Sequence, residues 1–313
     1  MVKICASGCT CGWWQRKAGL RSLHLSPIGL SLNPSGDRAF PYLTDLVRFS
    51  VELGITYFDI TACSPRYVEL ESHIGNSLRH SQASREEMKI SVRIGLGTHW
   101  NLAEGHATPQ RIVAGLKGTL RRTGLDHVDI LYLHRPDPIT PLEESMGAIS
   151  SLMDQGIVLH VGLSSFSAVV LKDAVTMLKS SGKSLAFALA EYSLCERWPE
   201  RSSLISAIHR EGLGFVSAAP LAHGFLTNRT RRSCACSASS FLSRLASFAA
   251  SRNRRIEEVA IAWVLSRPGV SSALLSSSSL NHLKLNRNAQ KDFSLSSEDV
   301  EELELICASC GYS

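Results

Sequence analysis

The chain has 313 residues, of which 44% are hydrophobic and 19% charged, so it can form a large buried core and global disorder is excluded. Its net charge of +5 is mild, and the arginine clusters at 229–232 and 252–255 have few aromatic neighbours, so we expect no nucleic-acid partner. No apolar run approaches the roughly 20 residues of a membrane-spanning helix, and the first residues lack the apolar stretch of a signal peptide, so we expect no membrane partner and a cytoplasmic location.

Short runs rich in β-branched residues alternate with amphipathic helical stretches along the chain. In the helical stretches, Thr108-Pro109 predicts a helix start, and Thr140-Pro141-Leu142-Glu143 predicts a capping box with proline at the first helical position. The runs predict eight strands: Ile28–Leu32, Ile55–Asp59, Met88–Ile94, Val128–His134, His160–Ser164, Leu185–Ala190, Gly214–Ala218 and Val270–Leu275. This alternation favours a single-domain α/β fold, the closed (β/α)8 or TIM barrel.

A doubly wound open sheet is the alternative fold. That fold usually carries a G-x-G-x-x-G turn after its first strand, and the stretch that follows Ile28 lacks it. Residues 1–18 are expected to form an extension outside a barrel of residues 19–313. The segment Asn228–Ser239, rich in Arg, Ser and Cys, predicts a loop on the catalytic face.

Ionisable side chains stand at the ends of three successive predicted strands. These are Asp59, Arg93 and His134, and the next strand ends in Ser164 and Ser165. The carboxyl ends of barrel strands line the active site in folds of this type. Three ionisable groups would be costly in an inert core, so the pattern predicts a functional site.

The nine cysteines are an odd number, and without an export signal reduced thiols are the expectation. Cys307 and Cys310 form a C-x-x-C, but no matching pair stands at zinc-finger spacing, so no metal site is predicted. A thiol-linked or metal-linked role for the cysteine clusters is the weakest of the functional hypotheses.

Several ordered segments resemble the aldo-keto reductase superfamily. The most specific is LDHVDILYLHRPDPITPLEESMGAISSLMDQGIVLHVGLSSFS at Leu125–Ser167, and ELGITYFDITA, EYSLCERWPE, GLGFVSAAPLAHGFLT and EEVAIAWVLSRPGV extend the match over nearly the whole chain. The resemblance implies a (β/α)8 barrel that reduces aldehydes and ketones with NADPH, with a small carbonyl compound or alcohol as substrate. In that family a tyrosine gives the proton, a lysine and an aspartate tune it, and a histidine orients the substrate oxygen.

Carried over residue by residue, the resemblance places Asp59 and His134 at the family's aspartate and histidine. Arg93 stands where the family has lysine, and Ser64 stands where it has tyrosine. Tyr67 is the nearest tyrosine and becomes the candidate proton donor. A guanidinium pairs well with a carboxylate but stays charged, so any relay through a neutral lysine is lost.

The same resemblance implies an NADP site, with NAD as the alternative. Leu189 and Ala218 replace a glutamine and a stacking aromatic of the family, which together with Ser64 and Arg93 motivates a second hypothesis: a barrel that binds a nucleotide as a sensor or scaffold without turnover. The implied cofactor contacts run from the nicotinamide to the adenine: Ser164, Ser165, Leu221, Gly224, Ser276, Ser277, Ser278, His282 and Asn286.

Overall fold

The computed structural model describes residues 16–17, 23–32, 42–61, 68–95, 107–227, 236–276 and 294–309, with the backbone alone for 16–17, 68 and 236–239. Eight parallel strands close into a barrel whose order follows the chain, and the last strand pairs with the first. This confirms the predicted (β/α)8 barrel over the open sheet. The barrel strands are β3 (Ile28–Ser31), β4 (Tyr57–Thr61), β5 (Lys89–Ile94), β6 (Val128–Leu133), β7 (Val158–Ser164), β8 (Leu185–Glu191), β9 (Gly214–Ala218) and β10 (Val270–Ser276).

Helices pack around the barrel, and their apolar faces form the larger core with the outward-facing side chains of the strands. The helices of the described residues are α1 (Leu43–Glu52), α2 (Val68–Arg79), α3 (Pro109–Thr123), α4 (Leu142–Asp154), α5 (Ala168–Ser180), α6 (Trp198–Arg201), α7 (Leu204–Arg210), α8 (Cys236–Ser251), α9 (Ile256–Ser266) and α10 (Ser297–Ala308). Of the loop predicted at Asn228–Ser239, residues 228–235 lie outside the described residues. Residues 236–239 are the start of α8.

The two helix starts predicted from sequence differ in outcome. Thr108 caps α3 by accepting a hydrogen bond from the Arg111 amide, and Pro109 is the first helical residue, as predicted. The prediction of a capping box at the start of α4 was wrong, because Pro141 is the N-cap instead of the first helical residue and offers no side-chain acceptor. Proline at that position removes the donor that a box needs at the cap backbone.

A short antiparallel pair, β1 (Arg16–Lys17) with β2 (His24–Leu25), precedes the barrel. Leu23 and Leu25 are buried against side chains inside the barrel, among them Ile130 and Phe187. Burial of these apolar groups excludes water from the barrel interior. The boundary predicted at residue 18 stays a prediction, and β1 lies on its N-terminal side.

Two glycines make room for two tyrosine rings inside the barrel. A methyl group added to Gly29 would lie 2.4 Å from a ring carbon of Tyr57, and one added to Gly162 would lie 2.3 Å from a ring carbon of Tyr132. Each glycine is the register partner of the tyrosine on the neighbouring strand. Both phenols are therefore held in the interior of the barrel, beneath its carboxyl rim.

Candidate active site

The Asp59 carboxylate occupies a fully buried position on β4. Arg93 on β5 donates two hydrogen bonds to Oδ2, from Nε at 2.9 Å and from Nη2 at 2.5 Å, and the Ser91 hydroxyl donates to Oδ1 at 2.6 Å. The sequence predicted Asp59 as the last residue of its strand, but β4 continues to Thr61. Asp59 therefore lies below the rim, where a carboxylate requires such donors.

A chain of hydroxyl groups leads from Asp59 deeper into the barrel. Ser91 gives its single hydrogen to Asp59, so at the 3.1 Å contact with Tyr57 the phenol must be the donor. The Tyr132 hydroxyl interacts electrostatically with Tyr57 but has no partner at hydrogen-bonding distance and angle among the described residues. The O–H groups of Tyr57 and Ser91 thus point in series toward the carboxylate, and Arg93 faces it from the other side.

Tyr57 is unsuited to replace the missing family tyrosine. Burial, followed by the negative charge of Asp59, raises the pKa of its phenol well above the ordinary value, which makes it a poor proton donor. Its side chain is also fully buried, and its hydroxyl is hydrogen-bonded to Ser91. Ser64 and Tyr67 lie outside the described residues, so the assignment of Tyr67 as proton donor stays a prediction.

His134 directly follows β6 at the rim, where its amide donates to the Ile94 carbonyl at 2.7 Å. Burial, followed by the charges of Arg93 and Arg135, lowers the pKa of its imidazole to about 3. The ring is therefore neutral at physiological pH. The Ser164 hydroxyl lies 3.4 Å from Nδ1, and if it donates there, Nε2 carries the hydrogen and can donate to a substrate oxygen.

The predicted nicotinamide end of the cofactor site lies beside His134. Ser164 is buried at the end of β7, and Ser165 adopts a left-handed conformation (φ 64°) as its amide donates to the Leu189 carbonyl at 2.8 Å. Leu189 is buried and Ala218 half-buried at the neighbouring strand ends. A buried hydroxyl beside small and apolar side chains fits a flat ring with one polar substituent, such as nicotinamide.

The loop after β9 holds several residues in left-handed conformations. Non-glycine residues there include Ala219 (φ 48°), Ala222 (φ 47°) and His223 (φ 53°), followed by Gly224 (φ 92°). Such conformations are costly for residues with a Cβ and cluster at functional sites. The Leu221 carbonyl stabilises this turn by accepting from the amides of residues 224 and 226, so the two residues predicted for the pyrophosphate loop, Leu221 and Gly224, share one turn.

A cavity of about 250 Å³ opens between the segment after β8 and the loop after β9. Glu191, Cys195 and His223 contribute to its walls, and the His223 Nε2 lies 3.3 Å from a Glu191 carboxylate oxygen. Burial raises the pKa of the Cys195 thiol to about 12, so the thiol stays protonated and is a weak nucleophile or metal ligand. Cys195 forms no disulfide, nor does Cys307.

Of the predicted cofactor contacts from Ser276 to Asn286, the structure describes Ser276 alone. Ser276 is exposed at the end of β10 beside Ser31, whereas Ser277, Ser278, His282 and Asn286 lie outside the described residues. Across the described ranges, no three His, Cys, Asp or Glu side chains converge as metal ligands, and no helix is long and apolar enough to span a bilayer.

The arginines of the cluster at 252–255 form ion pairs with acidic side chains of the protein itself. Arg252 pairs with Asp299 at 2.6 Å and with Glu302 at 2.9 Å, and Arg255 pairs with Glu257 at 2.8 Å. Their charges are thus matched within the fold, which weakens this cluster as a surface for nucleic acid.

Sequence reasoning missed Ser91, Tyr57 and Arg135 as parts of this site. A signal existed for the first two, because Ser91 stands two residues before Arg93 and Tyr57 two before Asp59, and alternate residues of a strand share a face. The hydroxyl chain itself has no sequence signature, because its members come from different strands.

Comparisons with known proteins agree with this architecture. The family model described as Aldo/keto reductase family matches residues 29–307, from β3 to α10. The chain is 28% identical over 312 residues to the L-glyceraldehyde 3-phosphate reductase of Escherichia coli strain K12, covering 92% of this chain and 90% of the relative. The protein of the same name from Escherichia coli O157:H7 matches with the same identity and coverage.

Proposed function

Because the chain belongs to the aldo/keto reductase family, we propose that it is an oxidoreductase that uses NADPH to reduce an aldehyde or ketone to an alcohol, or catalyses the reverse reaction. NADH is the alternative donor. The observation that carries the proposal is that three neighbouring strands bring together His134, which follows β6 at the carboxyl rim, and the Asp59–Arg93 pair on β4 and β5.

In this proposal His134 binds the carbonyl oxygen of the substrate through an N–H group. The positive charge of Arg93 stabilises the alkoxide that develops on that oxygen. The phenol of Tyr67 supplies the proton that the alkoxide takes up. Asp59 touches no substrate and acts as a positioning residue, because it is fully buried and holds the Arg93 guanidinium.

When bound, the reduced nicotinamide supplies a hydride to the carbonyl carbon. Ser164 and Ser165 would hold its ring end, and Leu221 and Gly224 would hold its pyrophosphate. Ser276, with Ser277 and Ser278 beyond it, would bind phosphate oxygens through hydroxyl and backbone N–H groups. His282 and Asn286 would contact the adenine end.

The test is oxidation of NADPH and of NADH by the purified protein over a panel of carbonyl compounds. The panel includes L-glyceraldehyde 3-phosphate, because two relatives carry that substrate in their names. Turnover with either nucleotide supports the proposal, and its absence across the panel refutes it. Tyr67→Phe should abolish turnover, whereas the control Tyr132→Phe, which removes a fully buried hydroxyl, should retain it. Unchanged turnover in Tyr67→Phe would remove Tyr67 from the mechanism.

The second candidate function is a nucleotide-binding sensor or scaffold. It is favoured by the two hydrogen bonds that Arg93 donates to Oδ2 of Asp59, which satisfy both charges as a structural ion pair. Calorimetric titration with NADPH separates the two candidates. Tight binding without turnover supports the sensor, and turnover excludes it.

A further inference from the structure

Positive charge is concentrated around His134. Arg93 lies on the neighbouring strand β5, and Arg135 follows His134 directly in the chain. Both guanidinium groups are close enough to act electrostatically on the imidazole. Arg93 is paired with Asp59 at 2.5 Å, so among the described residues at this part of the rim the charge without an acidic partner is that of Arg135.

Arg135 is exposed and forms no ion pair with any carboxylate of the described ranges. Many of the protein's arginines behave differently: Arg197 and Arg267, for example, both pair with Glu304. An arginine left unmatched beside a reacting group is available to an anion from solution.

Among the described residues, two acidic groups near this part of the rim are engaged elsewhere. Asp137, two residues after Arg135, accepts hydrogen bonds from the amides of Ala107 at 2.6 Å and Ile139 at 2.9 Å. These bonds hold the loop that carries Arg135. Glu191 ends β8, which β7 separates from β6, and faces His223.

We propose that Arg135 binds an anionic group of the substrate, a phosphate or a carboxylate, while His134 binds the carbonyl oxygen of the same molecule. This inference rests on the proposed function and narrows it to aldehydes or ketones that carry a negative charge. Arg135 is the specificity residue for that charge. Because it is exposed, its contribution is screened by salt.

The experiment measures kcat/KM for charged aldehydes and their uncharged counterparts. For the carboxylate, succinic semialdehyde is compared with butanal. For the phosphate, L-glyceraldehyde 3-phosphate is compared with glyceraldehyde. Arg135→Ala should lower the selectivity for the charged member by about tenfold or more, since a charge-assisted contact is lost. Arg135→Lys should keep part of that selectivity, and added salt should reduce it in every protein that keeps a cation at position 135, but not in Arg135→Ala.

The matched control is Arg121→Ala. Arg121 is exposed in the last turn of α3, at the opposite end of the barrel from the rim, so its removal changes the net charge equally but should leave the selectivity unchanged. Equal losses for charged and uncharged aldehydes in Arg135→Ala, or no loss for either, would overturn the inference. If Arg135→Ala loses selectivity in the succinic semialdehyde pair, Arg135 binds a carboxylate, and if it does so in the glyceraldehyde 3-phosphate pair, Arg135 binds a phosphate.

A binding measurement keeps the inference testable if no aldehyde is turned over. Calorimetric titration with succinate should show binding to the unaltered protein and to Arg121→Ala, and none to Arg135→Ala. That result without turnover would refute the reductase proposal and support the anion site. Absence of succinate binding and of turnover would overturn both.

Discussion

Removal of the Arg93 guanidinium leaves a buried charge without its partner. In Arg93→Met, the Asp59 carboxylate keeps the Ser91 hydroxyl as a donor and loses both N–H groups of Arg93. Asp59 is fully buried, and the Arg93 side chain is 14% exposed, so water cannot readily replace those donors. Breaking such a pair costs about 3–5 kcal/mol of the free energy of unfolding.

The double variant Asp59→Asn/Arg93→Met removes both charges and should recover most of that loss. An exposed pair provides the control: Arg48 and Asp45 are 2.7 Å apart but about half exposed, so Arg48→Met should cost no more than about 1 kcal/mol. The assay is urea unfolding followed by tryptophan fluorescence and circular dichroism. Arg93→Met being no more destabilising than Arg48→Met, or the double variant being less stable than the single one, would contradict this account of the ion pair.

Two further predictions concern His134 and Gly162. The folded-state pKa of His134 is about 3 against an ordinary 6.5, so between these values the unfolded chain binds the extra proton and acid destabilises the fold. From pH 6.5 to pH 5 the free energy of unfolding should therefore fall by about 1.6 kcal/mol more than in His134→Gln, and parallel pH profiles in urea titrations would contradict this. Gly162→Ala forces a methyl group onto the buried Tyr132 ring and should cost about 1–3 kcal/mol. A Cβ at Gly147 on α4 would meet no atom within 4 Å, so the control Gly147→Ala should raise the melting temperature. Equal effects of the two substitutions on thermal unfolding would contradict the role assigned to packing at Gly162.

The alternation of strands and helices was readable from the sequence because it follows from local patterns. Runs such as Val128–Leu133 are apolar apart from Asp129, since both faces of a barrel strand are buried. That order and the resemblance to a known family together predicted the closed barrel. They also predicted that neighbouring strands carry Asp59, Arg93 and His134.

Tertiary structure alone decided the electrostatics of the site. Whether Asp59 lies at the rim or below it depends on where β4 ends and on its register with β5, and neither has a local signal. The low pKa of His134 arises from burial and from Arg93 on another strand. Burial and the distances between charges are set by how the strands close around one axis, and no single stretch of sequence contains them.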